Sequence, residues 1–198
     1  RELGCDLIVL WLAREGTYMR ESKNIVQSAH WLLEAVNSLL AYDKNIRIAV
    51  EPKPNEPMDL AYIPTMGHAL ALGMQSSDPQ RVGVLMESAH SILAGLDPAE
   101  EIGFAMAFNK LWSVHLNDQN GLKFDQDKSF GSANLRMAFN QVRVLDENDY
   151  GQKGEFVGLD VKVMRSQKKE ASFAHLKNSR ETFLLLLDKV RSMDRKLA

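Results

Sequence analysis

The stretch RIAVEPKPNEP, residues 47–57, joins a short apolar run to a charged, proline-rich segment. Residues 48–50 have the character of a buried strand, and Glu51 ends it. Prolines then flank Lys53 and stiffen the chain around it. The stretch is either a charged turn or the rim of an active site, and the rest of the sequence decides between the two.

Four further apolar runs along the chain resemble this one. They are rich in Val, Ile, Leu or Phe, and they are continuous rather than alternating, which suits parallel strands that are covered on both faces. We therefore predict five buried strands, at residues 6–11, 46–51, 81–87, 111–116 and 155–160.

Helical patterns lie between these strands. Apolar residues recur at three- and four-residue steps over 22–41, which is typical of one face of an amphipathic helix. Asp97 and Pro98 supply an N-cap and a first-turn proline for a helix over 98–111. We predict further helices from Ser132 and over 173–193. This alternation of strand and helix indicates βαβ units in an α/β fold, either a doubly wound sheet or a barrel.

Four successive strand runs end in a residue that can bind a metal. In a barrel the carboxyl ends of all strands lie at one face, where active sites of that architecture are found. The side chains at these ends would then converge; they are Glu51, Glu87, His115 and Asp160. Taken singly, a strand-end acid is more often a helix cap or a solvated residue, and His115 would more often be a hydrogen-bonded core histidine.

A second group of candidates follows closely. His90 comes three residues after Glu87, so one helical turn would aim both at the same point. Asp125 and Asp127 stand two residues apart in a polar loop. Taken alone, this pair could be an Asx-rich turn. So many carboxylates cannot stay charged together in a cleft unless a cation is present. We predict two divalent cations, and hard oxygen ligands with one or two imidazoles suit Mg²⁺, Mn²⁺ or Co²⁺.

Composition limits the other classes of function. The 198 residues are 45% hydrophobic and 25% charged, with 24 basic and 26 acidic residues, which is ordinary globular composition without a basic nucleic-acid surface. Cys5 is the only cysteine, so no internal disulfide can form and a reducing compartment is expected. No apolar run approaches the roughly 20 residues that span a bilayer. We expect a cytoplasmic protein that binds neither nucleic acid nor membranes.

Four motifs, in order, resemble those of the xylose isomerase family: WLAREG (11–16), EPKPNEP (51–57), MESAHSILAG (86–95) and HLNDQNGLKFDQD (115–127). GLDVKVMR (158–165) is similar to a further motif of that family. The family consists of (β/α)₈ TIM-barrel isomerases that interconvert aldoses and ketoses with two divalent metals. The resemblance implies that residues 1–198 form a single, partial TIM-barrel-type domain that holds the fourth to eighth βα units, the C-terminal part of the barrel.

The resemblance also implies roles for individual residues. It assigns one metal to Glu51, Glu87 and Asp160, and the other to Glu87, His90, Asp125 and Asp127. Lys53 matches the lysine that hydrogen-bonds the carbonyl end of the sugar, and Trp11 matches an aromatic wall of the pocket. Lys53 and Asp127 are the predicted catalytic residues, and Lys53 and Trp11 are the predicted substrate-binding residues.

The chain departs from the family pattern in two important ways. His115 stands where xylose isomerases have an aspartate, although the rhamnose isomerases are similar in using histidine at that strand. His115 therefore stays a ligand candidate, while the identity of the sugar is left open. The family's first three strands, with the ring-opening histidine and its aspartate partner, have no counterpart here. Five parallel strands would leave two open edges, so we expect association with a missing N-terminal part, and weak or no activity of the chain alone.

These features predict an aldose–ketose isomerase that acts by a hydride shift on a small sugar. Two alternatives stay open. One is a sugar epimerase of similar barrel type, with one metal and a carboxylate pair for proton abstraction, which His115 mildly favours. The other is a non-catalytic barrel fragment that binds metal or sugar. A homo-oligomer is also expected, because the family commonly assembles into dimers and tetramers.

Overall fold

A computed structural model describes residues 3–12, 14, 21, 23–163 and 166–193. Parts of three sequence predictions lie outside these residues. They are residues 13, 15 and 16 of the motif at 11–16, residue 22 of the first predicted helix, and residues 164 and 165 of the motif at 158–165.

In the part of the chain that the structure describes, five strands form one parallel sheet, as the sequence predicted. They are β1 (Leu7–Trp11), β2 (Arg47–Glu51), β3 (Val82–Glu87), β4 (Leu111–Leu116) and β5 (Phe156–Leu159). Their order across the sheet is the order along the chain, β1-β2-β3-β4-β5, and every pair is parallel. A doubly wound sheet would reverse direction at a switch point. The unreversed order makes this sheet a half-barrel, which confirms the partial (β/α)₈ prediction.

Among the described residues, six helices connect and cover the strands. They are α1 (Ile25–Tyr42), α2 (Met66–Met74), α3 (Ser88–Leu93), α4 (Pro98–Ala107), α5 (Leu135–Glu147) and α6 (Ala174–Ser192). Short 3₁₀ turns occupy Pro79–Arg81 and Lys169–Ala171. Within the described ranges, no helix is both long enough and apolar enough to cross a bilayer.

Three helix boundaries differ from the prediction. The first helix begins at Ile25 rather than at residue 22, because the Asn24 side chain accepts from the amide of Gln27 and so caps it. The helix that starts at Pro98 ends at Ala107 rather than at 111, because Asn109 adopts a left-handed φ of 55° and the amide of Lys110 donates to the carbonyl of Ala105. This is a Schellman-type ending. The helix predicted from Ser132 begins at Leu135, because the Asn134 side chain accepts from the amide of Met137 and so caps it.

Helix α2 was not predicted at all. Its sequence, MGHALALGM, is apolar or small on nearly every side, so it lacks the contrast between faces that marks an amphipathic helix. It packs against β2 and β3, with Met66, Ala69 and Leu70 buried. The core lies between the sheet and helices such as this one, and it includes Ile48, Val50, Val84, Met86, Val114 and Leu116.

Alternate strand residues face the other way, toward the interior of the barrel. The pairing register shifts between Val84 and Leu85, so that Trp112 is an extra residue in β4. The Trp112 ring lies where a side chain at position 83 would be, and Gly83 leaves room for it. The charged ends of Arg47 and Lys110 lie 5.3 Å and 5.6 Å from the centre of the same ring. These residues form the floor of the half-barrel.

Gly83 and Gly103 provide a matched test of this packing. We expect Gly83→Ala to destabilise the fold by about 1–3 kcal/mol, since the added Cβ would overlap the Trp112 ring and lie 2.8 Å from the carbonyl oxygen of Lys110. Gly103→Ala, inside α4, would meet only Val144 at 3.7 Å. It should instead stabilise by roughly 0.5–1 kcal/mol. Urea denaturation of both variants measures the difference, and equal midpoints would contradict the packing described.

Candidate metal and substrate site

The carboxyl ends of β2 to β5 bring four predicted ligands together. One ligand atom from each lies within 4.8 Å of the other three; the residues are Glu51, Glu87, His115 and Asp160. Nδ1 of His115 is 3.6 Å from Oδ2 of Asp160 and 3.9 Å from Oε2 of Glu87. Gly158 pairs with His115 across the sheet. A Cβ at position 158 would lie 2.8 Å from the imidazole, so glycine leaves room for the ring. We call these four residues the first cluster.

A second cluster shares Glu87 with the first. Helix α3 starts directly after β3, so its first turn carries His90 back over the strand end. Nε2 of His90 lies 3.3 Å from Oε1 of Glu87 and 3.1 Å from Oδ2 of Asp125. Glu87, His90 and Asp125 offer ligand atoms that all lie within 4.8 Å of one another. The second cluster consists of these three residues, and Glu87 stands between the two clusters.

Asp127 lies beside the second cluster rather than within it. An antiparallel bridge between Asp118 and Lys128 folds the loop back, and Asp127 has a left-handed φ of 43°. Its carboxylate forms an ion pair with Nζ of Lys162 at 2.8 Å and accepts a hydrogen bond from the side-chain amide of Asn117 at 3.1 Å. Its predicted role as a metal ligand stays a prediction.

Lys53 projects into the same region. Its Nζ lies 2.7 Å from Oδ2 of Asp125 and 3.5 Å from Oε2 of Glu56, and the side chain is only 5% exposed. The amide of Lys53 donates to the carbonyl of Ile63, which anchors the proline-flanked segment. Trp11, at the end of β1, has its ring centre 5.1 Å from this ammonium group. The structure thus places both predicted substrate-binding residues next to the second cluster.

Burial and crowding shift the proton affinities of the first cluster. Burial, and then the neighbouring Glu87, raise the pKa of Glu51. Burial by itself would lower the pKa of His115, but the carboxylates of Asp160, Glu87 and Glu51 outweigh it and raise the pKa to about 10. The imidazole of His115 in turn lowers the pKa of Asp160. Without a cation, protons reduce the negative charge of this cluster.

The two aspartates of the loop are shifted in opposite directions. Burial would raise the pKa of Asp125, but His90, Asp127 and Lys53 outweigh it and hold the pKa well below its ordinary value. Burial and the adjacent Asp125 raise the pKa of Asp127, with Lys162 partly opposing them. The two neighbouring acids therefore differ in proton affinity, with Asp127 holding a proton more strongly than Asp125, which is the arrangement expected of two acids that share one site.

Several buried ligand atoms lack a hydrogen-bond partner among the described residues. Nδ1 of His115, Nδ1 of His90 and Oδ1 of Asp125 are in this state. A buried polar atom without a partner costs about 1–3 kcal/mol. Coordination would satisfy such atoms, and carboxylate and imidazole donors are suitable ligands for Mn²⁺ and similar ions. The residues therefore fit divalent cations.

Asn117 is a central residue of the site that the sequence reasoning missed. Its side-chain nitrogen lies within hydrogen-bonding distance of Oε1 of Glu87 at 2.9 Å and Oδ1 of Asp127 at 3.1 Å, while its oxygen accepts from the amide of Ala89. The residue is 1% exposed. A signal was available, because Asn117 comes two residues after His115, just past the end of β4. An amide side chain binds metals weakly, so Asn117 does not belong to the pattern of metal ligands at the strand ends.

Comparison with known proteins identifies the family. The xylose isomerase-like TIM barrel family matches residues 1–177, which is most of the chain. The chain belongs to this family. The resemblance stated from the four motifs is therefore confirmed.

Two curated relatives from this family are xylose isomerases. The one from Thermus thermophilus is 34% identical over 195 residues, and the one from Thermus caldophilus is 33% identical. In both cases the match covers 96% of this chain and 50% of the relative. The chain therefore spans about half the length of these xylose isomerases.

Solved structures of similar fold include sugar epimerases. A D-tagatose 3-epimerase-like protein matches with a TM-score of 0.67 at 21% identity, covering 100% of this chain and 66% of that one. An L-ribulose 3-epimerase matches with a TM-score of 0.66 at 14% identity, covering 96% and 64%. At these identities the likeness supports the fold, and the xylose isomerase-like barrel is found in both isomerases and epimerases.

We expect metal binding at this site to strengthen as pH rises. The raised pKa values of Glu51 and His115 mean that both hold protons near neutral pH, and a cation must displace them. Affinity for Mn²⁺ should then increase about tenfold per pH unit for each proton displaced between pH 6 and 8. Calorimetry in buffers of different ionisation enthalpy measures the proton release. An affinity that does not change with pH would contradict this charge arrangement.

Asn117 should support metal binding without being a ligand. We expect Asn117→Ala to weaken Mn²⁺ affinity by about 10–100-fold, because Glu87 and Asp127 lose the donor that orients them. Asn120→Ala is the matched control, since Asn120 is exposed in the same loop and donates a hydrogen bond to Gln126 through its backbone amide, which the substitution keeps. Mn²⁺ titration of both variants, with thermal melts to verify folding, provides the comparison. Equal affinities would show that Asn117 does not position the ligands.

Proposed function

We propose that this chain carries the metal- and sugar-binding part of an aldose–ketose isomerase that uses two divalent cations. The observation that supports this best is the pair of ligand clusters that share Glu87, with Lys53 next to the second cluster. An isomerase must act on two neighbouring oxygens of one sugar, O1 and O2. Two adjoining cation sites with a shared carboxylate suit such a substrate.

The first cluster would hold one cation, and the second, together with Asp127, would hold the other. Mg²⁺, Mn²⁺ and Co²⁺ suit these donors, and the imidazole in each cluster favours Co²⁺ and Mn²⁺ over Mg²⁺. When bound, the cations supply Lewis acidity toward the oxygens of an open-chain sugar.

Lys53 and Trp11 would act on the substrate directly. The Lys53 ammonium is a preorganised donor for the carbonyl oxygen of the sugar, because Asp125 and Glu56 hold it in a buried position. Trp11 offers an apolar wall beside it, which would exclude water from the carbon atoms between which hydrogen moves. A cytoplasmic location remains a prediction, and the identity of the sugar stays open.

A one-metal sugar epimerase is the second candidate, and His115 is the observation that favours it. With His115, the first cluster contains one imidazole and three carboxylates, which is a complete ligand set for one ion. The buried Asp125, Asp127 and Lys53 would then serve proton transfer rather than a second metal. The third candidate function is that of a non-catalytic barrel fragment that binds metal or sugar.

An isotope experiment separates these candidates. The intact natural chain is incubated with Mg²⁺, Mn²⁺ or Co²⁺ and a panel of pentoses and hexoses, including aldoses deuterated at C2 and ketoses deuterated at C3. From the aldoses we expect a ketose that retains deuterium at C1, since a hydride shift moves the label within the sugar. Epimerisation of a ketose at C3 with loss of its C3 label to solvent, as for the 3-epimerases of similar fold, would indicate the epimerase. Metal binding without conversion of any sugar would indicate the non-catalytic barrel fragment.

Lys53→Met tests the role of the lysine in that assay. We expect turnover to fall about 100- to 1,000-fold, because one fixed donor to the developing charge is removed. Metal affinity should stay the same or rise, since a positive charge 2.7 Å from Asp125 is also removed. Lys123→Met, in the exposed part of the neighbouring loop, is the control and should keep full turnover. A parallel loss of metal affinity and turnover would assign Lys53 a structural role.

A further inference from the structure

We propose that the first turns of α6 position the loop that carries Asp125 and Asp127, and that His175 is the positioning residue that fixes this loop. We call residues 125–131 the aspartate loop. The inference rests on the proposed binding of a cation at the second cluster. It adds a residue that lies outside both clusters and acts on the second one through the backbone of the loop.

The inner face of α6 changes character along the helix. Its later turns are apolar on this face, with Leu186 and Val190 in the core. Its first turns instead place His175, Ser179 and Thr182 on the same face, at steps of four and three residues. Polar side chains on the inner face of a helix are unfavourable unless they have hydrogen-bond partners. The partners of these residues therefore indicate what this end of the helix does.

Two consecutive residues of the aspartate loop form hydrogen bonds with this polar face. Oγ of Ser129 lies 2.9 Å from Nδ1 of His175. The amide of Phe130 donates to Oγ of Ser179 at 3.0 Å, and this hydroxyl donates to the carbonyl of His175 at 2.6 Å. Phe130 and Ser179 are almost completely buried, so water does not compete for these bonds. The loop is therefore attached to α6 through its backbone and through a side chain.

The next loop residue, Gly131, lies directly against the helix. Its φ of 77° is left-handed, and a Cβ at this position would lie 2.8 Å from Cγ2 of Thr182. Only glycine combines this backbone conformation with such a close approach. Loop positions 129, 130 and 131 thus contact helix positions 175, 179 and 182 one after another. A loop that is held at three successive residues cannot slide along the helix without losing all three contacts.

The imidazole of His175 has partners on both of its nitrogens. Nδ1 faces Ser129, and both atoms of the side-chain amide of Gln167 lie within 3.1 Å of Nε2. Gln167 belongs to the segment between β5 and α6. A ring with a partner on each nitrogen cannot rotate without losing a hydrogen bond. His175 therefore presents a fixed polar atom to Ser129, and it links the aspartate loop to the segment that precedes α6.

The attachment at Ser129 reaches the second cluster over a short stretch of chain. Ser129 comes two residues after Asp127 and four after Asp125. The carbonyl of Asp127 also accepts from the amide of Lys162 at 2.8 Å, so the same segment before α6 holds this stretch as well. Oδ2 of Asp125 must stay near Nε2 of His90, which is 3.1 Å away, if both are to bind one ion. Release of Ser129 from α6 would separate them, whereas the first cluster at the strand ends would keep its geometry.

Mn²⁺ titration of the intact natural chain tests this role, with hydrogen exchange as a second readout. His175→Phe removes both hydrogen bonds of the ring. We expect Mn²⁺ affinity at the second cluster to fall at least about fivefold, which is less than is typical for direct partners of metal ligands. Affinity at the first cluster should be unchanged, and Asp125→Asn identifies which of the two affinities belongs to the second cluster. Amides of the aspartate loop should exchange about tenfold faster without metal.

Three further variants serve as controls. His175→Asn can place an amide where Nδ1 of the imidazole lies, so it should restore both the affinity and the slow exchange. His68→Phe is the matched control, because Nδ1 of His68 lies 2.8 Å from Oγ1 of Thr65 at the start of α2, which packs on β2 and β3. It should change neither readout. Ser129→Ala removes the same hydrogen bond from the loop side, and it replaces His175→Phe if thermal melts show that this variant does not fold.

The outcomes separate a positioning role from a merely structural one. Equal losses of affinity at the two clusters, or no loss at either, would overturn the proposal. Failure of His175→Asn to restore the second affinity, or an equal effect of His68→Phe, would overturn it too. If the wild-type chain binds one ion only, the proposed two-cation isomerase fails. Hydrogen exchange then decides the role of His175, and aspartate-loop amides that exchange equally in wild type and His175→Phe would overturn it.

Discussion

The structure is organised around the burial of Glu87. This carboxylate is 2% exposed, and it faces the two imidazoles and the other acids at the rim of the sheet. Burying several carboxylates together is unfavourable unless protons, hydrogen bonds or cations compensate for their charge. The side chains around Glu87 supply protons and a hydrogen bond. The protons are held by Glu51 and His115, whose pKa values are raised, and the hydrogen bond comes from the side-chain amide of Asn117. A divalent cation would replace the protons.

The sheet makes this crowding unavoidable. Glu87 and His115 are direct partners across β3 and β4, so neither can move away without breaking the register. The short helix α3 then returns His90 to the same point, and Asp125 reaches it from the loop after β4. Small residues provide the space, with Gly158 next to the His115 ring and Gly83 beneath Trp112. The fold therefore holds its ligands by backbone geometry, and the side chains have little freedom to avoid each other.

Local patterns were sufficient for most of the fold. Continuous apolar runs located all five strands to within about one residue, as expected for strands covered on both faces. Local patterns did not predict a helix whose sequence is uniformly apolar, and they did not predict a helix boundary that is set by residues distant in the chain. Helix α2 has no polar face to contrast with its apolar one. Asp118 stabilises the turn before α5, because its carboxylate accepts hydrogen bonds from the amides of Ala133 and Asn134. These residues are 15 and 16 positions away along the chain.

The sequence by itself determined the family, the parallel βα order and the residues at the strand ends, because each depends on residue type and spacing along the chain. Only the tertiary structure showed that these residues form two clusters joined at Glu87, that Asp127 lies beside them, and that Asn117 connects them. Those facts depend on distances across strands and between a loop and a helix. Pairing register and backbone turns set such distances, and neither is a property of any one segment.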